Sequence, residues 1–220
     1  MALKAQEVKD GIAAGLSLQM IGEGFSYKKN SNEYQCVEGD YIFSFCIDQL
    51  RWSDHYSIDV RLEISQKNVE DILQKIIGKQ RFRMTMGNNI GQIKLSPDGR
   101  KYIAGGLQFI LLFEEDIAAA IETLFNYYTT IAKPYFKKYN TLEAIDDIIN
   151  NEPFEYLPPH YGAGLWNRCM KGLIVAKLIN NPNYDKLVTI YNDLIFETEN
   201  EESIINYRKV RDYLATQNIS

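Results

Sequence analysis

The 220-residue chain is 45% hydrophobic and 24% charged, with a formal net charge of −5. That balance fits a folded globular chain and excludes disordered, collagen-like and disulfide-miniprotein classes. Apolar runs reach only five residues, as in Phe109 to Phe113, where a membrane-spanning helix needs about 18.

In chain order, the first segment predicts a helix over about 3–21, because Val8, Ile12, Leu16 and Met20 recur every fourth residue. Gly22 and Gly24 stop it. Phe25 to Lys29 and Glu33 to Val37 read as short strands around Asn30-Ser31-Asn32, with a tight turn at Glu38-Gly39-Asp40. Two strong strands follow. Tyr41, Phe43, Phe45 and Ile47 point one way and Ser44, Cys46 and Asp48 the other. Tyr56, Ile58, Val60, Leu62 and Ile64 alternate with Ser57, Asp59, Arg61, Glu63 and Ser65. Period two over this length predicts an antiparallel sheet with one buried and one wet face.

Asn68 is expected to cap a helix over about 68–77, with Asp71 in a capping-box-like position. Phe82, Met84 and Met86 suggest a further strand. The turn Ser96-Pro97-Asp98-Gly99 is expected to join strands near Ile93–Leu95 and Lys101–Ile103. Leu107 to Phe113 reads as a fully buried last strand. Glu114, Glu115 and Asp116 then favour a helix start, and Pro134 should kink or end that helix. Thr141 caps a short helix to about Asn150, an irregular stretch with three prolines follows, and helices are expected at about 164–180, 184–197 and 202–216. No repeat of solenoid length emerges. The expected fold is α+β: an antiparallel sheet with two helices over 1–113, and a helical region over 114–220 packed against it as one unit.

Residues 1–113 carry 14 Lys and Arg against 13 Asp and Glu, whereas 114–220 carry 10 against 16. An acidic second half argues against a nucleic-acid partner, which needs a basic stripe, and suits a basic protein partner. Lys28, Lys29, Arg61, Arg81, Arg83 and Lys94 could make a basic patch on the sheet, diluted by Glu33, Asp59 and Glu63. The N-terminus lacks the hydrophobic region of a secretory signal. Cys36, Cys46 and Cys169 form no C-x-x-C pair, so free thiols and a cytoplasmic setting are expected.

Motifs for chemistry are sparse. His55 beside Asp54, and His160 in its loop, are the two candidate general bases, set against ordinary solvated loop histidines. Zinc and calcium motifs are missing, and Asp146 and Asp147 face different ways on a helix, so no metal ligand is assigned. Gly162-Ala163-Gly164 opens like a dinucleotide fingerprint, but Asn167 replaces the third glycine and no strand precedes it. No nucleophile elbow occurs, and Cys46 and Cys169 read as small core residues. No cofactor and no catalytic residue is assigned.

One cluster stands out. Tyr156, His160, Tyr161, Trp166 and Arg168 fall within thirteen residues, with the residue types of binding hot spots or of a loop pinned by its own aromatics. The segment Gly22-Glu23-Gly24-Phe25-Ser26-Tyr27-Lys28-Lys29-Asn30 with the aromatic-alternating strand after it, the helix Asn167 to Leu178, and Asn181-Pro182-Asn183-Tyr184 resemble a family of uncharacterised bacterial α+β proteins. That resemblance implies a helix, a β-meander, a helical C-terminal half and a bacterial cytoplasmic setting, and carries over no catalytic residue. The function expected is a cytoplasmic interaction module, of immunity or regulatory type. It would recognise a protein partner through an acidic surface (Glu197, Glu199, Glu201, Glu202) or an aromatic one. The alternative is a small-molecule binder or enzyme with a pocket near residues 156–168.

Overall fold

The computed structural model describes residues 4–78, 83–95, 107–151, 164–197 and 200–216. It is α+β. Helix α1 (Ala5–Gly22) buries Val8, Ile12, Leu16 and Met20, the stripe the sequence predicts. A meander follows: β1 (Ser26–Lys28), β2 (Glu33–Glu38), β3 (Tyr41–Arg51) and β4 (Tyr56–Gln66), each antiparallel to the last. Two short strands share the far edge of β4. β5 (Met86–Asn89) pairs with Arg61–Ile64, and β6 (Phe109–Leu111) pairs with Tyr56–Ile58. Gly87, at φ 152° opposite Glu63, permits the approach of β5, since a Cβ there would lie 2.1 Å from the Leu62 carbonyl oxygen.

β4 runs straight into α2 (Lys67–Ile77). The cap is Gln66, whose side chain accepts from Val69 N at 2.9 Å, and not Asn68, which lies inside the first turn. Gln66 is held for this task by its own N–H, which donates to Thr85 Oγ1 across 19 residues of chain. Thr85 itself is fully buried, so the alternation expected at Phe82, Met84 and Met86 fails and the strand begins at Met86; Phe82 lies outside the described residues. The expected strand at Ile93–Leu95 is instead part of helix α3 (Ile90–Leu95). Asn89 Oδ1 accepts from Gly91 N at 2.7 Å and turns the chain into it. The Ser96–Gly99 turn and the Lys101–Ile103 strand lie outside the described residues.

Leu107–Phe113 is not a fully buried strand. β6 is an edge strand of three residues in which only Leu111 is buried. The Asp116 carboxylate ends it by accepting from Leu112 N and Phe113 N at 2.8 and 2.9 Å, which holds that carboxyl below its usual range. Helix α4 (Asp116–Tyr127) continues through a π-helical turn, Tyr128–Ala132, into α5 (Lys133–Lys138). Pro134 therefore does not end the helix: the wider turn ahead of it absorbs its missing N–H. α6 (Leu142–Asn150) is capped by Thr141, as expected. α7 (Leu165–Leu178), α8 (Tyr184–Phe196) and α9 (Glu201–Thr216) complete the chain.

Alternate residues of β2–β4 build the core. Phe43 faces Ile64, Phe45 faces Leu62 and Ile47 faces Val60 in register, and Tyr34 faces Phe45. All are buried in one hydrophobic cluster that includes Tyr128, Phe136, Cys169 and Tyr207 from the helical half. The ring of Phe43 lies 5.2 Å from that of Phe136. No helix among the described residues is long and apolar enough to cross a membrane.

Candidate functional site

The residues between those core positions form the other face of the same strands. Their register sets three rows: Gln35–Ser44–Glu63, Glu33–Cys46–Arg61, and Asp48–Asp59. The first two rows line a groove of about 790 Å³ that runs on to Ser65 and Arg83. Its volume lies within the range of about 300–1,000 Å³ typical of ligand sites.

Cys46 sits at its centre and is 3% exposed. Its thiol donates to Glu33 Oε2 at 3.4 Å. The outer oxygen of that carboxylate, Oε1, accepts from Ser31 Oγ at 2.5 Å and Gln35 Nε2 at 3.2 Å. Glu63 Oε1 accepts from Arg61 Nε at 2.7 Å, and Arg61 Nη1 reaches Asp48 Oδ2 at 3.1 Å. Burial, then the charges of Glu63 and Glu33, push the Cys46 thiol far above its ordinary value. Burial would lower Arg61, but Glu63 and Asp48 outweigh it and hold the guanidinium above its usual range. Asp48 is raised, chiefly by burial, with Arg61 opposing and Asp59 reinforcing. Glu33, Cys46 and Glu63 each turn one ligand-type atom inward, all within 4.8 Å of one another, and no other such set occurs among the described residues.

Beyond Asp48 and Asp59 the face becomes apolar. Leu50, Ser57 and Ile110 form one row across β3, β4 and β6. With Trp52, Leu112 and Phe113 they leave five large apolar side chains 46–58% exposed at one end of the sheet. His55 and Asp54 do meet here, with Nδ1 2.7 Å from Asp54 Oδ1. That contact holds the Asp54 carboxyl below its usual range. The imidazole stacks on Trp52 with centroids 5.9 Å apart, beside a shallow depression of about 100 Å³.

A second polar cluster, which meets the same groove at Glu70, is fully hydrogen-bonded. Lys171 of α7 donates to Glu70 Oε1 and Oε2 of α2 at 2.8 and 3.0 Å and to the Met84 carbonyl at 2.6 Å. Thr85 Oγ1 donates to Glu70 Oε1 at 2.7 Å. Both charged side chains are at most 3% exposed. Burial lowers the Lys171 pKa, with Glu70 opposing.

Of the residues singled out in the sequence, Tyr156, His160, Tyr161 and Glu199 lie outside the described residues. Trp166 is 41% exposed, whereas Arg168 is fully buried and donates from Nε and Nη2 to the Ile149 carbonyl. The two therefore do not share one surface. Glu197, Glu201 and Glu202 are exposed around the α8–α9 connection. Of the arginines expected in a basic patch, Arg81 lies outside the described residues, Arg61 is matched by Glu63 and Asp48, and Arg83 by Asp71. Cys36 and Cys169 are buried free thiols, and burial pushes Cys169 up to about 12. Sequence reasoning missed Glu33, Cys46 and Glu63 as a unit because they are separated by 13 and 17 positions on three strands; the one available signal was the polar set opposite Phe43, Phe45 and Ile47.

No family model, curated protein or solved structure matches the chain.

Proposed function

We propose that this chain is a cytoplasmic interaction module that grips a protein partner by a basic side chain flanked by an apolar one. The observation that carries this reading is the row order on the sheet face. Asp48 and Asp59 stand directly opposite each other in register, and although Arg61 already bridges Asp48 and Glu63, these three carboxylates leave the face with an excess of negative charge that suits reception of a further cation. The next row begins the exposed apolar end, Leu50, Ile110 and Trp52. Contiguous exposed apolar surface with a tryptophan marks interaction sites on soluble proteins. A basic partner also complements the net charge of −5, and the three free cysteines support a reducing compartment.

The test is affinity capture from native cells with wild-type, Trp52→Ala/Ile110→Ser and Asp48→Asn/Asp59→Asn chains, each verified as folded by circular dichroism. The apolar variant should weaken the stoichiometric partner by roughly 30-fold through faster dissociation, as expected of a hot spot of about 2 kcal/mol. The aspartate variant should slow association and flatten its salt dependence. Capture unchanged by both variants, or no stoichiometric partner at all, overturns the reading.

A further inference from the structure

We propose that Glu33, Cys46 and Glu63 form a three-ligand site for a borderline-soft divalent cation of the zinc class. This goes beyond partner recognition at the apolar end, and none of the three ligands is a residue of that recognition surface.

The geometry is set by strand pairing. Glu33 and Cys46 are direct partners across β2 and β3, and Glu63 is the partner of Ser44, two residues from Cys46 on the same face. One ligand comes from each of three adjacent, hydrogen-bonded strands. The three ligand-type atoms lie within 4.8 Å of one another, and Cys46 Sγ and Glu33 Oε2 are already 3.4 Å apart. With zinc–sulfur and zinc–oxygen bonds of about 2.3 and 2.1 Å, a tetrahedral ion separates its ligand atoms by about 3.3–3.8 Å. Rotation of the Glu63 side chain closes the difference.

The surroundings orient the ligand atoms. Carboxylates that ligate metals are themselves oriented by outer hydrogen bonds. Here Ser31 and Gln35 hold Glu33 by Oε1, which leaves Oε2 toward the thiol. Arg61 holds Glu63 by Oε1, and its other oxygen takes no hydrogen bond from the described residues. The charge of Arg61 is shared with Asp48, so it orients Glu63 without neutralising both ligands. The donor set of one sulfur and two oxygens selects the ion. A thiolate disfavours magnesium and calcium, which take oxygen alone, and carboxylates suit zinc better than copper(I). Three protein ligands leave a fourth position for water or for a group of a bound molecule in the groove. On binding, the Cys46 proton passes to solvent and the Sγ lone pair forms the bond to the ion.

The experiment titrates the full chain, stripped of metal, with zinc by calorimetry and with cadmium by ultraviolet absorbance, where a thiolate–cadmium charge-transfer band reports sulfur ligation. One ion per chain should bind, with about one proton released. Cys46→Ser should abolish the band, and Glu33→Gln and Glu63→Gln should each weaken zinc by at least about 10-fold, the low end of the loss known even for outer-shell changes. Cys36→Ser, which removes the other sheet thiol, should leave the band intact. Because a variant could lose binding by unfolding, each is checked for an unchanged far-ultraviolet spectrum. A band that survives Cys46→Ser, binding indifferent to both glutamates, or no saturable zinc binding below about 1 mM overturns the site.

Discussion

The two polar clusters beside β4 differ in how their groups are satisfied. Around Glu70 and Lys171 both charged groups are at most 3% exposed, and both Glu70 oxygens, Met84 O and Thr85 Oγ1 are engaged. Its four groups come from α2, from the two residues just before β5 and from α7, so it ties the sheet half to the helical half. Around Cys46 the outer oxygens are held, the inner atoms converge on one another, and the cluster opens into a groove. Complete bonding in a dry setting fixes an arrangement, while convergent donors at an open face leave capacity for something else. Ion pairs thus fix an arrangement in one place and leave an open, polar face in the other.

The largest effect should come from breaking the closed cluster. Lys171→Met leaves the Glu70 carboxylate buried without its cation, which should cost about 3–5 kcal/mol in denaturant unfolding. Lys171→Met/Glu70→Leu should recover more than half of that loss, because a hydrophobic pair removes the stranded charge. Recovery will be incomplete, since the Met84 carbonyl and the Thr85 hydroxyl lose a partner. A single variant within about 1 kcal/mol of wild type would show that water reaches Glu70 and would erase the distinction between the clusters.

The dryness of the helical side has a pH signature. Burial raises the phenols of Tyr34, Tyr41, Tyr128, Tyr135, Tyr191 and Tyr207 above their ordinary 10.0, with Tyr41 pushed up to about 12. A raised folded pKa means the unfolded chain loses its proton first. The stability these groups contribute is therefore full below pH 10 and falls as pH rises toward 12 and beyond. Lys171 has the opposite sign, since its lowered pKa lets stability rise with pH up to 10.5, but it is one group against six. Cooperative unfolding together with tyrosinate absorbance is the expected alkaline transition. Gradual ionisation of these tyrosines near 10 in a folded chain would contradict it.

What was legible in the sequence follows from the range of the interactions. Period two from Tyr41 to Ser65 placed both faces of β3 and β4, because side-chain direction in a strand is local. The i, i+4 stripe placed α1 for the same reason. Gln66 as a cap was not legible, since its orientation depends on Thr85, 19 residues away. Nor was the passage of the helix through Pro134, which rests on the π-helical turn at Tyr128–Ala132. The site suffered most. Glu33, Cys46 and Glu63 become neighbours only once three strands are in register, and Lys171 reads as an interruption of an apolar helix until α2 is packed against α7.

The smallest effect is expected at the open cluster, and it is the most discriminating. In the metal-free chain, Glu33→Gln keeps an oxygen for Ser31 and Gln35 to donate to and removes one of two carboxylates beside the Cys46 thiol. The loss of the Sγ–Oε2 contact, at 3.4 Å, is offset by relief of repulsion between Glu33 and Glu63. The unfolding midpoint should therefore move by no more than about 0.5 kcal/mol, the usual range for a surface substitution. Such neutrality, beside a loss of zinc affinity in the same variant, separates a residue kept for binding from one kept for folding. A loss above about 2 kcal/mol would instead place Glu33 with Glu70, as a structural group in a cluster that happens to face solvent.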